Sequence, residues 1–352
     1  MKIRVSVIVL NWNGKKWLKN CLSSVLNQWL DEEFEVLLVD NGSTDGSAEY
    51  VKQNFPQVKV VELDRNYGFA EGNNRGAKFA CGDYLVFVNM DTKAEDGWLE
   101  NLVKAADEHP EYQILCSIQL PSQEKNRIRT LNAFGDAMPS PYESNLAITD
   151  SIFASGACFL IRRSWLSKLG YLFDPFYFCS AEDIELSLRT ILLGGRIGYV
   201  RDSRIWHHIG GANFPSARMA YLSERNLLLT YYKLLTLKDF VKIFLVRMGY
   251  LTMRLVARRR QLLTTLNMMK GVLGFLATFH HYQVYRREFA KMKKRNGKYV
   301  FERFLYRRGW KRLLLKTFWF VIEIQRTKFR IYNSVFPFQP LNLSVFKQLL
   351  NM

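Results

Sequence analysis

Cysteine is scarce in this chain of 352 residues, and its spacing excludes two classes of protein. The cysteines lie far apart and form no C-x-x-C pair: Cys21, Cys81, Cys116, Cys158 and Cys179. A structural zinc site or a disulfide framework needs cysteines at short, regular spacing. The thiols are therefore expected to be free and buried, in a protein of a reducing compartment.

Long apolar runs are also missing. The longest uncharged stretches of the C-terminal part, residues 271–285 and 331–346, fall short of about 18 apolar residues, so no membrane-spanning helix is expected. The first strand is predicted to begin at Ile3, which leaves no room for a signal peptide. No G-x-G-x-x-G follows that strand, which argues against a dinucleotide-dependent dehydrogenase.

Acidic residues almost disappear after residue 232. Residues 1–232 hold 24 Lys and Arg against 28 Asp and Glu, whereas residues 233–352 hold 26 against 4, within a net charge of +18. An asymmetry of this size predicts two parts. Residues 1–232 are expected to form a catalytic domain, and residues 233–352 a basic, mainly helical region that meets an anionic surface.

The basic region interleaves cationic runs with aromatic and aliphatic residues. Read as a helix, its first segment places apolar residues on one face and arginines elsewhere: Val241, Phe244, Leu245, Met248, Leu251 and Leu255 against Arg247, Arg254 and Arg258. Such a pattern is typical of a helix that lies in the interface of a membrane with anionic lipids. An oligomer interface is an alternative. Nucleic acid, a further alternative, is not expected as a partner, because the apolar content is high and no nucleic-acid motif is present.

Short apolar runs alternate with helical segments over the first 110 residues. Strands are predicted over residues 3–10, 34–39, 58–63 and 84–89, and helices over residues 15–27, 47–54, 72–80 and 97–108. This alternation indicates right-handed βαβ units and an α/β fold with a mostly parallel sheet flanked by helices. Beyond it, the sequence predicts a surface excursion over residues 122–149, a strand over 153–161, a helix over 182–194 and a short strand over 197–200.

Polar side chains close three of these strands. Asn11 ends the first, Asp40 ends the second, and Asn89-Met90-Asp91 ends the most apolar strand of the chain. Because the carboxyl ends of parallel strands meet at one crevice, these groups are expected to lie together. An acid at a strand end can bind a base or ribose, and another can hold Mg²⁺ or Mn²⁺ on a pyrophosphate. The pattern therefore predicts a metal-assisted site for a nucleotide diphosphate, although Asp91 can equally cap a helix.

A second group of candidates lies in the next hundred residues. Glu182-Asp183-Ile184-Glu185 opens a helix, where acids also stabilise the helix dipole, but three acids in four residues exceed what a cap requires. If this turn faces the crevice, one carboxylate can take a proton from an attacking hydroxyl. His207, shortly downstream, is a candidate metal ligand, with an ordinary interior histidine as the alternative.

Residues 3 to about 232 resemble the family 2 inverting glycosyltransferases of the GT-A fold, in particular the bacterial rhamnosyltransferase-like subgroup that builds O-antigen, capsule and related glycans. The resemblance rests on six segments in order: V-I-V-L-N-W-N-G, V-D-N-G-S-T-D-G, N-Y-G-F-A-E-G-N-N-R-G, V-N-M-D-T, E-D-I-E-L-S-L-R and I-W-H-H. Each is a modest signal, but their combination is highly specific.

The resemblance implies a role for each matching residue. The residues implied to bind the donor nucleotide are Val9, Asn11, Asn13, Asp40, Asn66, Gly68, Asn73, Asn74 and Asn89. The residues implied to bind the metal are Asp91 and His207. Asp183 looks like the catalytic base, with Glu182 beside it expected to orient the acceptor or support the loop. Arg225, of an Arg-Asn pair similar to one in the family, is a candidate phosphate contact.

The implied reaction is an inverting transfer of a sugar, with rhamnose favoured, from a dTDP- or UDP-sugar to a lipid-linked or cell-surface glycan. The metal would neutralise the leaving nucleoside diphosphate. Asn89 replaces the first acid of the family's D-x-D and Met90 its usual Pro, but neither change removes a residue that the reaction requires. No Q-x-x-R-W motif of processive synthases is present. A peripheral protein at the cytoplasmic side of the membrane is expected, and the alternative is a catalytically silent nucleotide-sugar-binding subunit.

Overall fold

A computed structural model of the chain describes residues 2–121, 147–208, 215–257 and 262–295. Most of the predicted excursion over residues 122–149 lies outside these ranges, as does Arg258. Within them the strands are β1 Val5–Asn11, β2 Phe34–Asp40, β3 Lys59–Glu62, β4 Tyr84–Asn89, β5 Thr92–Ala94, β6 Ile114–Pro121, β7 Ile148–Ser151, β8 Cys158–Arg162 and β9 Ile197–His207.

All of these strands belong to one sheet. Its order is β3-β2-β1-β4-β8-β6-β9-β5, and β7 pairs with β9. Strands β3, β2, β1 and β4 are parallel, so their carboxyl ends meet at one edge, where Asn11 lies opposite Asp40 and Leu10 opposite Asn89. Strand β8 runs antiparallel between β4 and β6, and β9 continues parallel to β6. The predicted α/β class, with a sheet that is parallel through its first four strands, is confirmed.

The helices flank this sheet. They are α1 Lys15–Leu26, α2 Ser47–Asn54, α3 Gly68–Ala77, α4 Trp98–Glu108, α5 Arg163–Leu169, α6 Glu182–Leu192, α7 Ser216–Leu234, α8 Leu237–Ala257, α9 Leu262–Thr278 and α10 Gln283–Met292. Alternate residues of β1 divide between two layers. Val7 and Val9 pack in a core cluster with Leu18 of α1 and Trp98 of α4, while Ile8 faces Gly76 of α3.

Two predicted elements have different bounds in the structure. Helix α3 begins at Gly68 rather than Gly72, because Asn66 Oδ1 accepts a hydrogen bond from the Gly68 N–H (2.8 Å) and so opens the helix there. It ends at Ala77, three residues before the predicted end at residue 80. Strand β9 continues seven residues beyond Val200, because its second half pairs with β5 and carries His207 to the site.

The C-terminal helices pack on α7. Helix α9 approaches α7 closely at two glycines: a Cβ on Gly271 would lie 2.5 Å from the Tyr221 carbonyl oxygen, and one on Gly274 would lie 2.5 Å from the Tyr221 hydroxyl. Residues 296–352 lie outside the described residues. The division of the chain at residues 232 and 233 stays a prediction.

One described stretch, Leu262–Met292, is long and apolar enough to cross a membrane by length and composition, and 22% of its most apolar window is buried. No membrane-spanning helix was expected from the sequence, because only runs without any charged residue were considered. The stretch found in the structure includes the charged residue Lys270. Length and composition alone fit a helix that lies on a membrane equally well.

Candidate active site

A cavity of about 430 Å³ opens at the carboxyl ends of β1 and β4. Its walls come from the loops after these strands, the segment before α3, the β7–β8 connection, the first turn of α6 and the end of β9. The lining residues are Leu10, Trp12, Asn41, Asn66, Gly68, Phe69, Asn89, Met90, Asp91, Ser155, Gly156, Ala157, Phe178, Cys179, Ser180, Glu182, Asp183, His207 and Met219. The structure thus brings both predicted groups of candidates to one place.

Asn11 and Asp40 lock the first two strand ends together. Asn11 Nδ2 donates to Asp40 Oδ1 (2.8 Å) and to Ser43 Oγ (3.1 Å), while Asp40 Oδ2 accepts from the Ser43 N–H (3.0 Å). Asn13 holds the same loop through its side-chain oxygen, which accepts from the Thr44 N–H (2.8 Å). Asn11, Asn13 and Asp40 are thus neighbours in sequence of Leu10, Trp12 and Asn41, which line the cavity. Their hydrogen bonds hold the backbone of these lining residues in place.

Asn41 is a site residue that the sequence analysis missed. Its buried side chain donates from Nδ2 to Asn66 Oδ1 (3.1 Å) and to the Gly68 carbonyl (3.0 Å), and its Oδ1 accepts from the Tyr67 N–H (3.0 Å). It therefore fastens the loop before α3 to the end of β2. The signal was present, since Asn41 directly follows Asp40 in the V-D-N-G segment.

The other predicted nucleotide residues divide into two groups. Asn66, Gly68 and Asn89 line the cavity. Asn74 instead bridges α3 to the Phe173 backbone, donating to its carbonyl (2.8 Å) and accepting from its N–H (3.0 Å). Asn73 donates to a carbonyl of its own helix (2.9 Å), and Val9 lies in the core.

Asp91 and His207 form a pair on the cavity wall. Their strands meet antiparallel, with Thr92 opposite His207, so that His207 Nε2 lies 3.3 Å from Asp91 Oδ1. The Asp91 side chain is 8% exposed and the His207 side chain is 16% exposed. A carboxylate oxygen and an imidazole nitrogen form a donor set that suits a divalent cation whose remaining positions are taken by water and phosphate. The described residues contain no group of three or more acidic, His or Cys ligands, so protein ligands alone would not complete the shell.

Glu182 and Asp183 also line the cavity, at the start of α6. Burial raises the pKa of both carboxyls, and the charge of Asp183 raises that of Glu182 further. Asp183 accepts from the Gly156 N–H through Oδ2 (3.4 Å) and from the Ile184 N–H through Oδ1 (2.8 Å), and these bonds offset part of the effect of burial on its pKa. Glu182 Oε2 is buried with no hydrogen-bond partner among the described residues. The pair can therefore hold a proton at near-neutral pH, as a general acid or base must.

Glu185, the third acid of this turn, points away from the cavity into a buried charge cluster. Its carboxylate lies 3.0 Å from both Arg189 Nη2 and Lys233 Nζ, and Lys233 also contacts Asp174 at 2.6 Å. Burial alone would raise the pKa of Glu185, but the two cations outweigh burial and lower it. Glu185 thus supports α6 and lies outside the described cavity lining.

Arg225, a residue of α7, contacts the segment that precedes α6. Its Nη2 donates to the Phe176 carbonyl (3.0 Å), its Nε donates to Asn226 Oδ1 (2.9 Å), and its guanidinium stacks over the Phe176 ring. The described cavity lining includes neither Arg225 nor Asn226. Arg225 and Asn226 therefore hold the backbone of the segment before α6, a role that the sequence did not reveal.

Comparison with known proteins identifies the domain that carries this cavity. Residues 6–170 match the family model described as glycosyl transferase family 2. The O-antigen biosynthesis protein RfbC of Myxococcus xanthus is 27% identical over 220 residues, which cover 58% of this chain and 17% of that protein. The N-acetylglucosaminyl-diphospho-decaprenol L-rhamnosyltransferase of Mycobacterium tuberculosis (strain H37Rv) is 24% identical over 237 residues, 57% of this chain and 75% of that protein.

A solved structure shares the fold. The crystal structure of GalNAc-T7 with UDP, GalNAc and Mn²⁺ superposes with a TM-score of 0.53 at 19% identity, over 66% of this chain and 48% of that one. The matched region is thus less than half of that chain and about a sixth of the Myxococcus protein. At this identity the superposition establishes a shared architecture for the sheet and its helices.

Proposed function

Because residues 6–170 match the model of glycosyl transferase family 2, we propose that the chain is a glycosyltransferase of this family and transfers a sugar from a nucleotide-sugar donor to a lipid-linked or cell-surface glycan. The observation that carries the proposal is that one cavity is lined both by the pair Asp91 and His207 and by the pair Glu182 and Asp183. The donor is a dTDP- or UDP-sugar. The L-rhamnosyltransferase and O-antigen relatives favour rhamnose and a bacterial envelope glycan.

A divalent cation is part of the proposal. Asp91 and His207 would hold it, and it would neutralise charge on the departing nucleoside diphosphate. Mg²⁺ prefers oxygen ligands alone, whereas a set with one imidazole nitrogen also suits Mn²⁺. Mn²⁺ is therefore the favoured ion, and the Mn²⁺ in the GalNAc-T7 structure supports the choice.

Asp183 is proposed as the general base. Its carboxylate would remove the proton from the acceptor hydroxyl as that oxygen attacks the anomeric carbon. The raised pKa favours this role, because a weakly solvated carboxylate accepts a proton more readily than an exposed one. The attack is proposed to come from the face opposite the leaving group, which would invert the anomeric centre.

Glu182 is proposed to orient the acceptor. Its unpartnered Oε2 leaves a hydrogen-bonding position that the described protein groups do not fill, and buried polar atoms of this kind normally have a partner. With its pKa raised above that of Asp183, Glu182 can stay protonated beside the ionised base. A neutral carboxyl next to the base can then donate to an acceptor oxygen.

We also propose that the helices after α7 bind the cytoplasmic face of the membrane peripherally. Helix α9 buries Thr265, Val272 and Phe275 and exposes an apolar stripe at helical spacing. The stripe, called the α9 stripe below, consists of Leu262, Leu266, Met269, Leu273 and Leu276. Exposed apolar residues of α8 add to it: Leu237, Val241 and Leu245. Arg247, expected on a lipid-facing cationic surface, instead pairs with Glu224.

Charge decides between a membrane and a second copy of the chain as the occupant of this surface. Residues 233–352 carry 26 basic and 4 acidic residues, so two such regions would repel each other. Anionic lipids would instead attract the cations while the α9 stripe enters the interface. The packing of α9 on Tyr221, two residues from the cavity residue Met219, would place the cavity near a lipid-linked acceptor.

The experiment measures release of nucleoside diphosphate from dTDP- and UDP-sugars with Mn²⁺, with Mg²⁺ and with EDTA, using a membrane extract as the acceptor source. We expect metal-dependent release from one donor and its loss in Asp183→Asn. The matched variant is Asp202→Asn, which removes an exposed carboxylate outside the cavity lining. Nucleotide binding with no release from any donor would favour the silent binding subunit instead.

A further inference from the structure

The segment between the Phe176 backbone and α6 has an unusual conformation. Phe178, Ser180 and Ala181 have φ values of 61°, 73° and 67°, in the left-handed region that residues other than glycine rarely adopt. Such strain persists only where surrounding contacts impose it, and it concentrates at functional sites. Phe178, Cys179 and Ser180 line the cavity, and Glu182 and Asp183 follow directly. This segment, residues 177–181, is called the strained loop below.

One side chain of α7 meets the strained loop at three points. Asn226 is fully buried, and its Nδ2 group donates to the carbonyls of Tyr177 (2.9 Å), Cys179 (3.0 Å) and Ser180 (2.8 Å). Its Oδ1 accepts from Arg225 Nε, which fixes the orientation of the amide. The amide group of one side chain thus binds three backbone carbonyls that are not hydrogen-bonded within a helix or a strand.

The strained loop is also held by α3. The Phe178 carbonyl accepts from the Ala70 N–H (3.1 Å) in the first turn of α3. On α7, Ser223 Oγ bonds Ser180 Oγ (2.6 Å). The loop is therefore stretched between α3, whose preceding residues line the cavity, and α7, which reaches it through Asn226.

We propose that Asn226 is a positioning residue that sets the acceptor side of the cavity by holding the strained loop against α3, so that Asp183 faces the acceptor hydroxyl. This inference rests on the proposed transferase function. Asn226 acts on the loop backbone and lies outside the cavity lining. Its loss should therefore impair use of the acceptor and leave nucleotide binding largely intact.

The test compares Asn226→Leu, which keeps the volume and removes the donors, with Ser117→Ala. Ser117 is equally buried, and its hydroxyl accepts from Trp98 Nε1 (2.8 Å), but it lies on β6 outside the cavity lining. We expect Asn226→Leu to lower kcat/KM for the acceptor about 100-fold, as misplacement of a catalytic group by about 1 Å does. The acceptor KM should rise, and the Kd of the nucleoside diphosphate should change less than threefold. Ser117→Ala should lower stability without raising the acceptor KM.

A second measurement does not depend on activity. Amide hydrogen exchange of residues 178–183 should accelerate at least tenfold in Asn226→Leu and not in Ser117→Ala. If Asn226→Leu does not fold, Ser223→Ala, which removes only the bond to Ser180, should show the same changes to a smaller degree. Unchanged exchange, or an activity loss that merely follows the folded fraction at constant acceptor KM, would overturn the proposal. Exchange that accelerates as expected in a protein with no transfer activity would keep the positioning role and reject the transferase function.

Discussion

His207 Nε2 lies 3.3 Å from Asp91 Oδ1, although 116 positions separate the two residues in the chain. The antiparallel pairing of β5 with the end of β9 creates this contact. Two groups that can both ligate a cation thus meet on a cavity wall next to Asn89, where the resemblance to family members implied a shared metal.

Substitution of His207 by Gln should therefore weaken metal activation. We expect the Mn²⁺ concentration that gives half-maximal activity to rise by about 10- to 100-fold, since one of only two protein ligands is changed. The check is an activation curve with Mn²⁺ at saturating donor. His208→Gln is the matched control, because the His208 ring stacks on Trp17 at 4.3 Å instead. Equal effects of both substitutions would exclude a specific ligand role for His207.

The raised pKa of Asp183 predicts the pH dependence of the reaction. The base works only when deprotonated, so kcat/KM should rise with pH through the pKa of the buried pair, which lies above that of an exposed Asp. Glu182→Gln replaces the neighbouring carboxyl, which stays protonated while Asp183 ionises, with a neutral amide. The acidic limb should therefore stay in place, whereas an alkaline limb that reports ionisation of Glu182 should disappear. pH profiles of wild type and variant measure both limbs, and an acidic limb that moves to lower pH in the variant would show that Glu182 is ionised beside Asp183.

Gly68→Ala adds only one methyl group but should disturb the cavity. A Cβ at Gly68 would lie 2.4 Å from the Phe178 carbonyl oxygen, and φ is +82°. Gly170 is the matched control, since its φ is +81° but nothing lies within 4 Å of a Cβ there. Both alanines share the backbone strain of about 1–3 kcal/mol. Only Gly68→Ala should lose stability beyond that, as measured by urea unfolding, and only it should raise the acceptor KM.

How far the sequence predicts this molecule depends on how local each feature is. The ends of β1, β2 and β4 were found, because an apolar run that stops at Asn or Asp is a short-range signal. The extension of β9 was missed, because Arg201 and Asp202 interrupt its apolar pattern and pairing with β5 and the end of β6 keeps the strand going. Asn226 was also missed as a loop contact, since a buried amide on a helix has no sequence pattern that reveals the distant carbonyls it meets.

The buried cluster around Lys233 should control stability. Lys233 is fully buried between Asp174 and Glu185, so Lys233→Met would leave two carboxylates with less positive charge near them. Removal of one partner from a buried ion pair destabilises a protein by about 3–5 kcal/mol. The exposed pair of Lys291 and Glu288 offers the control, because Lys291→Met should change the free energy of unfolding by about 1 kcal/mol or less. Denaturant titration of both variants measures the difference.

The proposed membrane surface predicts a specific binding defect. Leu266 and Leu273 are exposed members of the α9 stripe, 41% and 65% accessible, and should enter the lipid interface. Since burial of one leucine side chain contributes about 1.5–3 kcal/mol, replacing both by Asn should lower partitioning onto anionic vesicles at least tenfold. Phe79→Asn, at an exposed aromatic outside this surface, should leave binding unchanged. Vesicle sedimentation at two salt concentrations should also show weaker binding at high salt, because the cationic region contributes through screened charge. Binding to neutral vesicles as tight as to anionic ones would contradict the electrostatic part of the proposal, and a double variant that binds like the wild type would exclude the stripe.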